Sequence, residues 1–525
     1  MLAGMPAARS WSTKEKNIRG VWRGGGRASS APCRLSAIGA CWYRGSMFSL
    51  ALALAVCPTG AITPEQARED VELAISAAEA ALPDLYWRQT EQAWAQRKAE
   101  ARARAAMATS EESLFRILNP LMRGIGEGHL SIAQSDGMSC RYRANARTFP
   151  LDLLWRDDGA FVTTGYGSAA DVPAGTRLLS VNGEDHPEML EAMAQVSPHD
   201  GANRTGVMRD RAGRGYAVAR WLVHGDEPGY EVRLALPDGT VAKRHLLPVA
   251  VSARPARPAD PSPVATLSWV DAGTAYLYVP TFSNKQYRAA GADYRTTIQE
   301  IFDTLAARGA KSLILDLRDN GGGSEPNESI LLSYLIEKPF RKYASVRSRQ
   351  NRIRVTSLSG KVFEHDIYDA EELATVKPAK NGDLLRINAP PEGLMTRWER
   401  ARPVFTGRLA VLAGGYTFSG GAELGSMLRA TGRGLFVGEE VGGTHGGNTS
   451  GYKWDLTLPN SRVEIGIPLL AFRFAWPERP ANRGTLPHCF VQPSIGEIRV
   501  SRDAAYDQAV RALKRPWRTP TKRAC

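Results

Sequence analysis

The spacing of hydrophobic positions changes along the chain and divides it into three stretches of different character. Between residues 63 and 121 apolar residues recur three and four positions apart, as at Leu114 and Leu118, which predicts amphipathic helices. Residues 148–252 carry short apolar runs separated by turn residues, which predicts a small β-rich module. From residue 264 onwards continuous apolar runs alternate with helical segments. That alternation is typical of an α/β core with buried strands.

Two segments of the core share one layout. Ser312–Leu317 is an apolar strand that leads into R-D-N-G-G-G, and Leu409–Ala413 leads into G-G-Y-T-F-S-G-G-A-E. Each predicts a glycine-rich turn between the carboxyl end of a buried strand and a helix, where α/β proteins bind ligands. Ser419 in the second turn supplies a hydroxyl, and the glycines supply bare N–H groups. The pair is interpreted as a nucleophile with oxyanion donors, the ordinary alternative being a serine that caps a helix.

A general base for such a serine has two candidates. His129 follows the glycine-rich break G-I-G-E-G, where a side chain can face a cleft, and His445 lies in the second glycine-rich loop, G-G-T-H-G-G. The plain alternative for His129 is a structural histidine. No H-E-x-x-H motif is present, and His488 and Cys489 are adjacent without spaced partners, so neither a metal nor a cofactor is expected.

The beginning of the chain is predicted to be a leader. Residues 1–46 carry a net charge of +7, and Met47–Val56 is a ten-residue, mostly apolar run followed by small residues up to Ala61. The run suits a secretory signal peptide and is too short to span a bilayer comfortably. Export to the periplasm or the extracellular space follows, with Met47 as a possible true start and Cys57 as a possible lipid anchor. A disordered basic tail with a short buried helix is the alternative.

The rest of the chain has an ordinary composition. Residues 62–525 carry only +6 over 464 residues, which does not indicate nucleic-acid binding, and no apolar run is long enough to span a membrane. If the leader is removed after Ala61, the remaining cysteines are Cys140, Cys489 and Cys525. They permit one disulfide, whose partners the sequence does not identify, and none is a candidate nucleophile.

Several motifs together resemble one family. L-I-L-D-L-R-D-N-G-G-G, T-F-S-G-G-A-E and the following V-G-E are similar to motifs of the tail-specific (carboxy-terminal processing) serine peptidases. That superfamily also includes the tricorn protease core and the interphotoreceptor retinoid-binding repeats. Gly128–Leu130 is similar to its G-H-T motif, Leu178–Gly183 to a PDZ strand, and Arg483–Pro487 to its late G-x-x-P segment. The resemblance implies a crotonase/ClpP-like α/β peptidase core with a helical N-terminal segment and an inserted PDZ-like β module.

The resemblance also implies a mechanism. The processing peptidases use a Ser–Lys dyad, but Thr444 occupies the lysine position here and Lys453 lies too far along the chain. The tricorn-like Ser/His branch is therefore indicated, with Ser419 as nucleophile and His129 as base. Glu478 is the predicted orienting carboxylate, and Glu423 and Glu439 are the alternatives.

The remaining site residues follow from the same resemblance. The N–H groups of Gly420 and Gly322 are the predicted oxyanion donors. Asp316, Arg318 and Asn320 are predicted to hold the first turn in shape.

The predicted organisation is a leader at 1–61, a helical domain at 62–147 and a PDZ-like domain at 148–252. A proline-rich linker at 253–263, a catalytic core at 264–515 and a basic tail at 516–525 follow. The expected function is an exported serine endopeptidase that acts through an acyl-enzyme on peptide or protein substrates. The PDZ-like module would guide a substrate tail by β-augmentation. The alternatives are an inactive binding protein on the same fold and a PDZ-containing scaffold, and the oligomeric state stays open.

Overall fold

The structure, a computed structural model, describes residues 57–255, 264–387, 393–476, 482–500 and 502–515. The apolar run of the predicted leader, most of the proline-rich linker, Glu478 and Cys525 lie outside these residues. In the described part, no helix is both long enough and apolar enough to cross a membrane.

The N-terminal part is helical, as the spacing predicts. Its elements are α1 (Pro64–Ala81), α2 (Glu91–Ala105), α3 (Glu111–Arg123), the short strand β1 (Ser131–Ala133) and α4 (Asp136–Asn145). Thr63 begins α1 with a capping box, in which its hydroxyl accepts from the Gln66 N–H while the Gln66 side chain accepts from the Thr63 N–H. Leu114 and Leu118 lie on the buried face of α3.

A disulfide joins Cys57 to Cys140 in α4. The segment between Cys57 and α1 is also bonded to the helices, since the Glu111 N–H donates to the Gly60 carbonyl and Ala61 bridges to Ser110. Residues 57–61 are therefore part of the helical domain in this structure. Cleavage after Ala61 or a lipid on Cys57 would each remove this bond, and both stay predictions.

The second part, here called the β-module, is an antiparallel sheet with three helices. Its elements are β2 (Arg147–Thr148), β3 (Leu151–Arg156), β4 (Gly159–Gly165), β5 (Arg177–Val181), β6 (Glu184–Asp185), α5 (His186–Ala194), α6 (Thr205–Asp210), α7 (Gly215–His224), β7 (Tyr230–Ala235), β8 (Val241–Leu246) and β9 (Val249–Ala250). The strand order is β3-β4-β5-β7-β8, with β6 beside β5. Residues 195–229, which include α6 and α7 and are here called the insertion, separate α5 from β7. The strand pattern does not predict these two helices.

The third part is the α/β core with a second sheet against it. Its elements are β10 (Thr266–Trp269), β11 (Thr274–Tyr278), α8 (Asn284–Ala289), α9 (Tyr294–Ala307), β12 (Ser312–Asp316), α10 (Asn327–Ser333), β13 (Phe340–Arg341), β14 (Tyr343–Ser348), β15 (Arg352–Thr356), β16 (Val362–Asp366), α11 (Ala370–Leu373), β17 (Val376–Pro378), β18 (Leu384–Arg386), β19 (Arg397–Trp398), β20 (Arg408–Ala413), α12 (Gly420–Ala430), β21 (Leu435–Gly438), β22 (Gly447–Thr457), β23 (Glu464–Phe474), β24 (Cys489–Phe490), α13 (Ile495–Arg499) and α14 (Ala504–Lys514).

The core sheet has the order β10-β11-β12-β20-β21-β24, and all its neighbours are parallel except β10 and β11. β12 and β20 are adjacent, with Asp316 opposite Leu412. Because parallel neighbours end at the same edge of a sheet, the two glycine-rich turns leave the sheet side by side. The predicted α/β class is confirmed.

The polar stretch 340–382 is ordered largely into strands. β14 pairs with the long strand β23, and β15 forms a hairpin with β16. Ile353 and Val355 of β15 are buried while the residues between them are exposed. Buried and exposed residues therefore alternate as in a half-buried strand, although the two arginines make the segment R-I-R-V-T polar as a whole.

Candidate active site

The two glycine-rich turns meet at Ser419. The Phe418 N–H donates to the Asn320 carbonyl, and the Thr417 hydroxyl donates to the Leu317 carbonyl, at 2.9 and 2.8 Å. A Cβ atom on Gly322 would lie 2.6 Å from Ser419 Cβ and 2.8 Å from the Gly420 nitrogen, so only glycine fits at this position. The pairing inferred from two similar sequence patterns is therefore a direct contact in the fold.

Ser419 is half-buried and sits in an unusual backbone conformation, with φ 52° and ψ −129° directly before α12. Its side chain makes no capping hydrogen bond, which removes the interpretation as an ordinary helix cap. A non-glycine residue at positive φ costs free energy and persists only where the surrounding structure imposes it. Here the strained turn presents Ser419 next to the first N–H of a helix.

The two predicted oxyanion donors differ. The Gly420 N–H is the first N–H of α12, and it donates to no acceptor among the described residues. The Gly322 N–H, in contrast, donates to Asn320 Oδ1 at 2.8 Å. Gly322 is therefore not an open donor in this structure, and the prediction of two free N–H groups needs this correction. Asn320 was predicted to hold the turn in shape, and in the structure its side-chain oxygen accepts the Gly322 N–H.

Asp316 and Arg318 hold the first turn as the sequence suggests. Asp316 Oδ1 accepts from the Arg318 backbone N–H, and the Arg318 guanidinium bonds both Asp316 and Asp503. Although burial by itself raises the pKa of Asp316, the Arg318 charge holds that pKa below its ordinary value. Asp503 begins α14, so this pair also connects the turn to the last helix.

His129 lies against the residue that precedes Ser419. Its ring packs on Phe418 with the ring centroids 4.7 Å apart, and its side chain is 17% exposed. Gly128 permits this approach, because a Cβ atom there would lie 2.8 Å from the Phe418 ring. Neither ring nitrogen has a hydrogen-bond partner among the described residues. A buried imidazole with both nitrogens unengaged is available for proton transfer.

The carboxylate nearest His129 is one that the sequence analysis missed. Glu127 Oε1 lies 3.6 Å from His129 Nδ1 and has no other partner among the described residues, while Glu127 Oε2 accepts from the Thr449 hydroxyl. Glu127 precedes His129 by two positions within the G-E-G-H run. Its closeness in sequence was the available signal. Glu478 lies outside the described residues, so its predicted role stays a prediction.

The position of the absent lysine is connected to a different cation. Thr444 donates from its backbone N–H and its hydroxyl to Asp200 Oδ2, and Arg88 donates to the Thr444 hydroxyl at 2.6 Å. The Arg88 guanidinium also lies 3.6 Å from Glu127 and 3.8 Å from Asp200, with all three side chains at most 5% exposed. Burial raises the pKa of Asp200, but Arg88 and the hydrogen bonds hold it below the ordinary value.

The alternative site residues are engaged elsewhere. His445 Nδ1 contacts the Thr485 hydroxyl at 2.8 Å, and Lys453 donates to Ser131. Glu439 forms a buried ion pair with Arg209. Glu423 contacts Lys342, and it also accepts from Tyr343 and Asn448.

Lys342 is at the centre of a buried charge cluster behind α12. Its Nζ lies 2.6 Å from Glu325, 2.5 Å from Glu328 and 2.5 Å from Glu423. The three carboxylates are close enough together to hold a metal ion, but the ammonium group already lies among them. Burial, followed by the Glu328 charge, raises the pKa of Glu325 to about 7.

Glu325→Gln is expected to make stability less dependent on pH. Because the folded state raises this pKa from 4.5 to about 7, the protonated carboxyl contributes stability below pH 4.5 that is lost as the pH rises through 7. The variant should therefore gain thermal stability relative to the parent between pH 5 and pH 8. The gain is moderated because 42% of the Glu325 side chain is exposed.

Thermal denaturation across that pH range measures the effect, and the exposed Glu337→Gln is the control. A stability difference that stays constant between pH 5 and pH 8 contradicts the assigned pKa.

The fold and the paired turns define a class of protein. Residues 273–463 match the profile of Peptidase family S41, a family of serine peptidases. The resemblance to the tail-specific peptidases is thereby confirmed.

Solved structures agree at the level of the fold. Mature CPAF matches with a TM-score of 0.57 and 16% identity, over 86% of this chain and 97% of its own. Mature CPAF complexed with lactacystin matches with the same score and identity over 86% and 98%. The photosystem II D1 C-terminal processing protease matches 86% of this chain and 98% of its own, at 14% identity and a TM-score of 0.38. No curated protein matches the sequence.

Proposed function

We propose that the chain is an exported serine endopeptidase in which Ser419 is the nucleophile and His129 the general base. The observation that carries this proposal is the strained Ser419, seated between the two turns with the His129 ring on the adjacent Phe418. His129 would take the Ser419 proton as the hydroxyl attacks a peptide carbonyl, and would then return it to the leaving amine. Water would release the acyl group in the second half of the reaction.

The developing oxyanion would be bound at the start of α12. The Gly420 N–H is open there, and the helix end adds a partial positive charge. A second donor would be the Gly322 N–H once it leaves Asn320 Oδ1. Such hydrogen bonds often tighten only when substrate is bound.

Buried charges around His129 would support the imidazolium ion that forms during catalysis. Glu127 and Asp200 carry two negative charges against the single positive charge of Arg88, which leaves a net charge of −1 beside the ring. Glu127 also faces Nδ1, so Nε2 is the nitrogen left for Ser419. We propose Glu127 as an orienting carboxylate, with Glu478 as the family's alternative.

Glu127→Gln is expected to lower kcat by up to about 10⁴-fold, the loss found when the carboxylate that orients the histidine of a Ser–His peptidase becomes an amide. The Michaelis constant should change little, because Glu127 contacts the imidazole rather than a bound peptide. Glu127→Asp should restore part of the rate. Steady-state hydrolysis of a peptide substrate measures these values.

Glu79→Gln removes another partly buried, ion-paired carboxylate, and serves as the control. If both variants retain the parental kcat, Glu127 does not orient His129.

A fluorophosphonate probe tests the proposed activity on the wild-type chain. An active serine should be labelled, and peptide mapping should place the adduct on Ser419. The alternative function, a binding protein without turnover, is favoured by one observation, the engaged Gly322 N–H. Folded protein that takes no label and hydrolyses no peptide would support that alternative.

Export is proposed on a separate observation. The Cys57–Cys140 bond suits an oxidising compartment, since cytosolic thiols are kept reduced. Cys57→Ser is expected to lower the free energy of unfolding by about 2–4 kcal/mol. Denaturant titration measures this loss, and reductant should destabilise the parent more than the variant. Equal stability of both chains under oxidising conditions would contradict the role of this bond.

A further inference from the structure

A peptide tail can add to a sheet only where a strand edge is open. β3 is one edge strand of the β-module and contacts α5 through Trp155 and His186, so the space between β3 and α5 is where a tail would be expected to dock. In the structure that edge is already paired. The Leu153 N–H donates to the Gly213 carbonyl at 3.1 Å, and the Gly213 N–H donates back to the Leu153 carbonyl at 2.6 Å.

The rest of the space is filled by the insertion. α6 and α7 each pack against both β3 and α5. The Trp155 ring of β3 lies 5.3 Å from Tyr216 of α7 and 5.5 Å from His186 of α5. A cavity between α5 and α7, which Met189 and Met193 help to line, has about 10 Å³. That volume suits about one water molecule, and an extended peptide does not fit.

The opposite edge of the sheet is less suited to a peptide. β8 exposes Lys243 and His245, and the N–H of Leu247, which directly follows β8, donates to the Ser168 hydroxyl. Charged side chains along an edge strand discourage the addition of a further strand.

The insertion also bonds the loops of the candidate active site. Asp200 accepts from the Gly128 and Thr444 N–H groups, and Asn203 donates to the Val441 and Gly442 carbonyls. Arg209 joins both sides, because it donates to the Trp155 carbonyl in β3 and to Glu439 in the core.

We propose that the insertion is a built-in ligand of the β-module, and that the module positions the catalytic loops instead of recruiting substrate tails. The closed groove rests on the backbone pairing with β3 and on the packing of α6 and α7, and not on the proposed function. The positioning role rests on the proposed function, since it is defined by the loops that carry His129 and Thr444. This replaces the expectation that a PDZ-like module guides the substrate by β-augmentation.

Hydrogen exchange on the full-length Ser419→Ala chain tests the closed groove without any catalysis. The amides of residues 151–156 and 205–216 are expected to exchange slowly. Peptides of eight residues with an apolar C-terminal residue, with either a free carboxylate or an amide end, should leave this exchange unchanged. Saturable peptide binding that protects β3, or that accelerates exchange in residues 205–216, overturns the proposal. Binding confined to β8 overturns the claim that the module recruits no tails.

Two substitutions in the otherwise active chain test the positioning role. Asn203→Ala removes the bonds to Val441 and Gly442, and is expected to lower kcat about 10-fold with KM within twofold, since slight misplacement of catalytic groups is costly. Glu191→Ala, which removes the exposed ion pair with Arg204 and leaves the residues of the insertion unchanged, should leave both constants unchanged. Equal rates in the two variants overturn the positioning role. If the wild-type chain hydrolyses no peptide, the proposed function has failed, and the exchange result still decides whether the groove is closed.

Discussion

Ser419→Ala is expected to lower peptide hydrolysis by about 10⁴- to 10⁶-fold, the loss found when the nucleophile of a serine peptidase is removed. The expectation rests on the position of Ser419, which is held at φ 52° directly before the open Gly420 N–H. Among the described residues, Ser419 is the one hydroxyl-bearing residue at positive φ, and it directly precedes a helix. Removal of the hydroxyl should also abolish labelling by a fluorophosphonate probe.

Ser426→Ala is the matched control for this prediction. Ser426 is a buried serine in the same helix, α12, and contacts the Thr485 hydroxyl. Its replacement should leave the labelling stoichiometry unchanged. Circular dichroism and thermal denaturation should show that both variants fold. Hydrolysis that persists in folded Ser419→Ala at the parental rate assigns the activity to another residue.

His129→Gln is expected to lower kcat by about 10³- to 10⁴-fold while the fold is retained. Glutamine keeps much of the side-chain volume against Phe418 but cannot take the Ser419 proton. Fluorophosphonate labelling of Ser419 should slow to a similar extent, because the serine is no longer activated. The rate of labelling, measured by intact mass over time, separates a chemical defect from a loss of substrate binding.

His445→Gln distinguishes the two histidines that the sequence proposed. His445 is buried and its Nδ1 contacts the Thr485 hydroxyl, so its replacement should affect stability more than labelling. If His445→Gln, correctly folded, eliminates labelling and His129→Gln does not, the base has been assigned to the wrong histidine.

The sequence predicted the catalytic core better than the module beside it. A buried apolar run followed by glycines predicts a strand that ends in a turn. Two such strands in one parallel sheet end at the same edge of the sheet. The neighbouring positions of Ser419 and Gly322 therefore followed from local patterns. Whether the Gly322 N–H is free or hydrogen-bonded could not be predicted from these patterns, because it depends on how the Asn320 side chain rotates within the turn.

The insertion shows the opposite case. Its helices were not predicted, and nothing in their local sequence indicates that Gly213 pairs with Leu153. Glu127 was also missed, although it lies two positions before His129. Its importance comes from Arg88 and Asp200, which are distant in sequence and meet it only in the folded chain.

The sequence by itself determined the α/β class and the two glycine-rich turns, because these are properties of local pattern and residue type. Only the tertiary structure decided that Arg88 reaches Thr444, that Glu127 faces His129 and that the edge of β3 is closed. Such contacts join segments separated by tens to hundreds of residues. They arise from the packing of three parts of the chain against one another, and no local sequence preference encodes them.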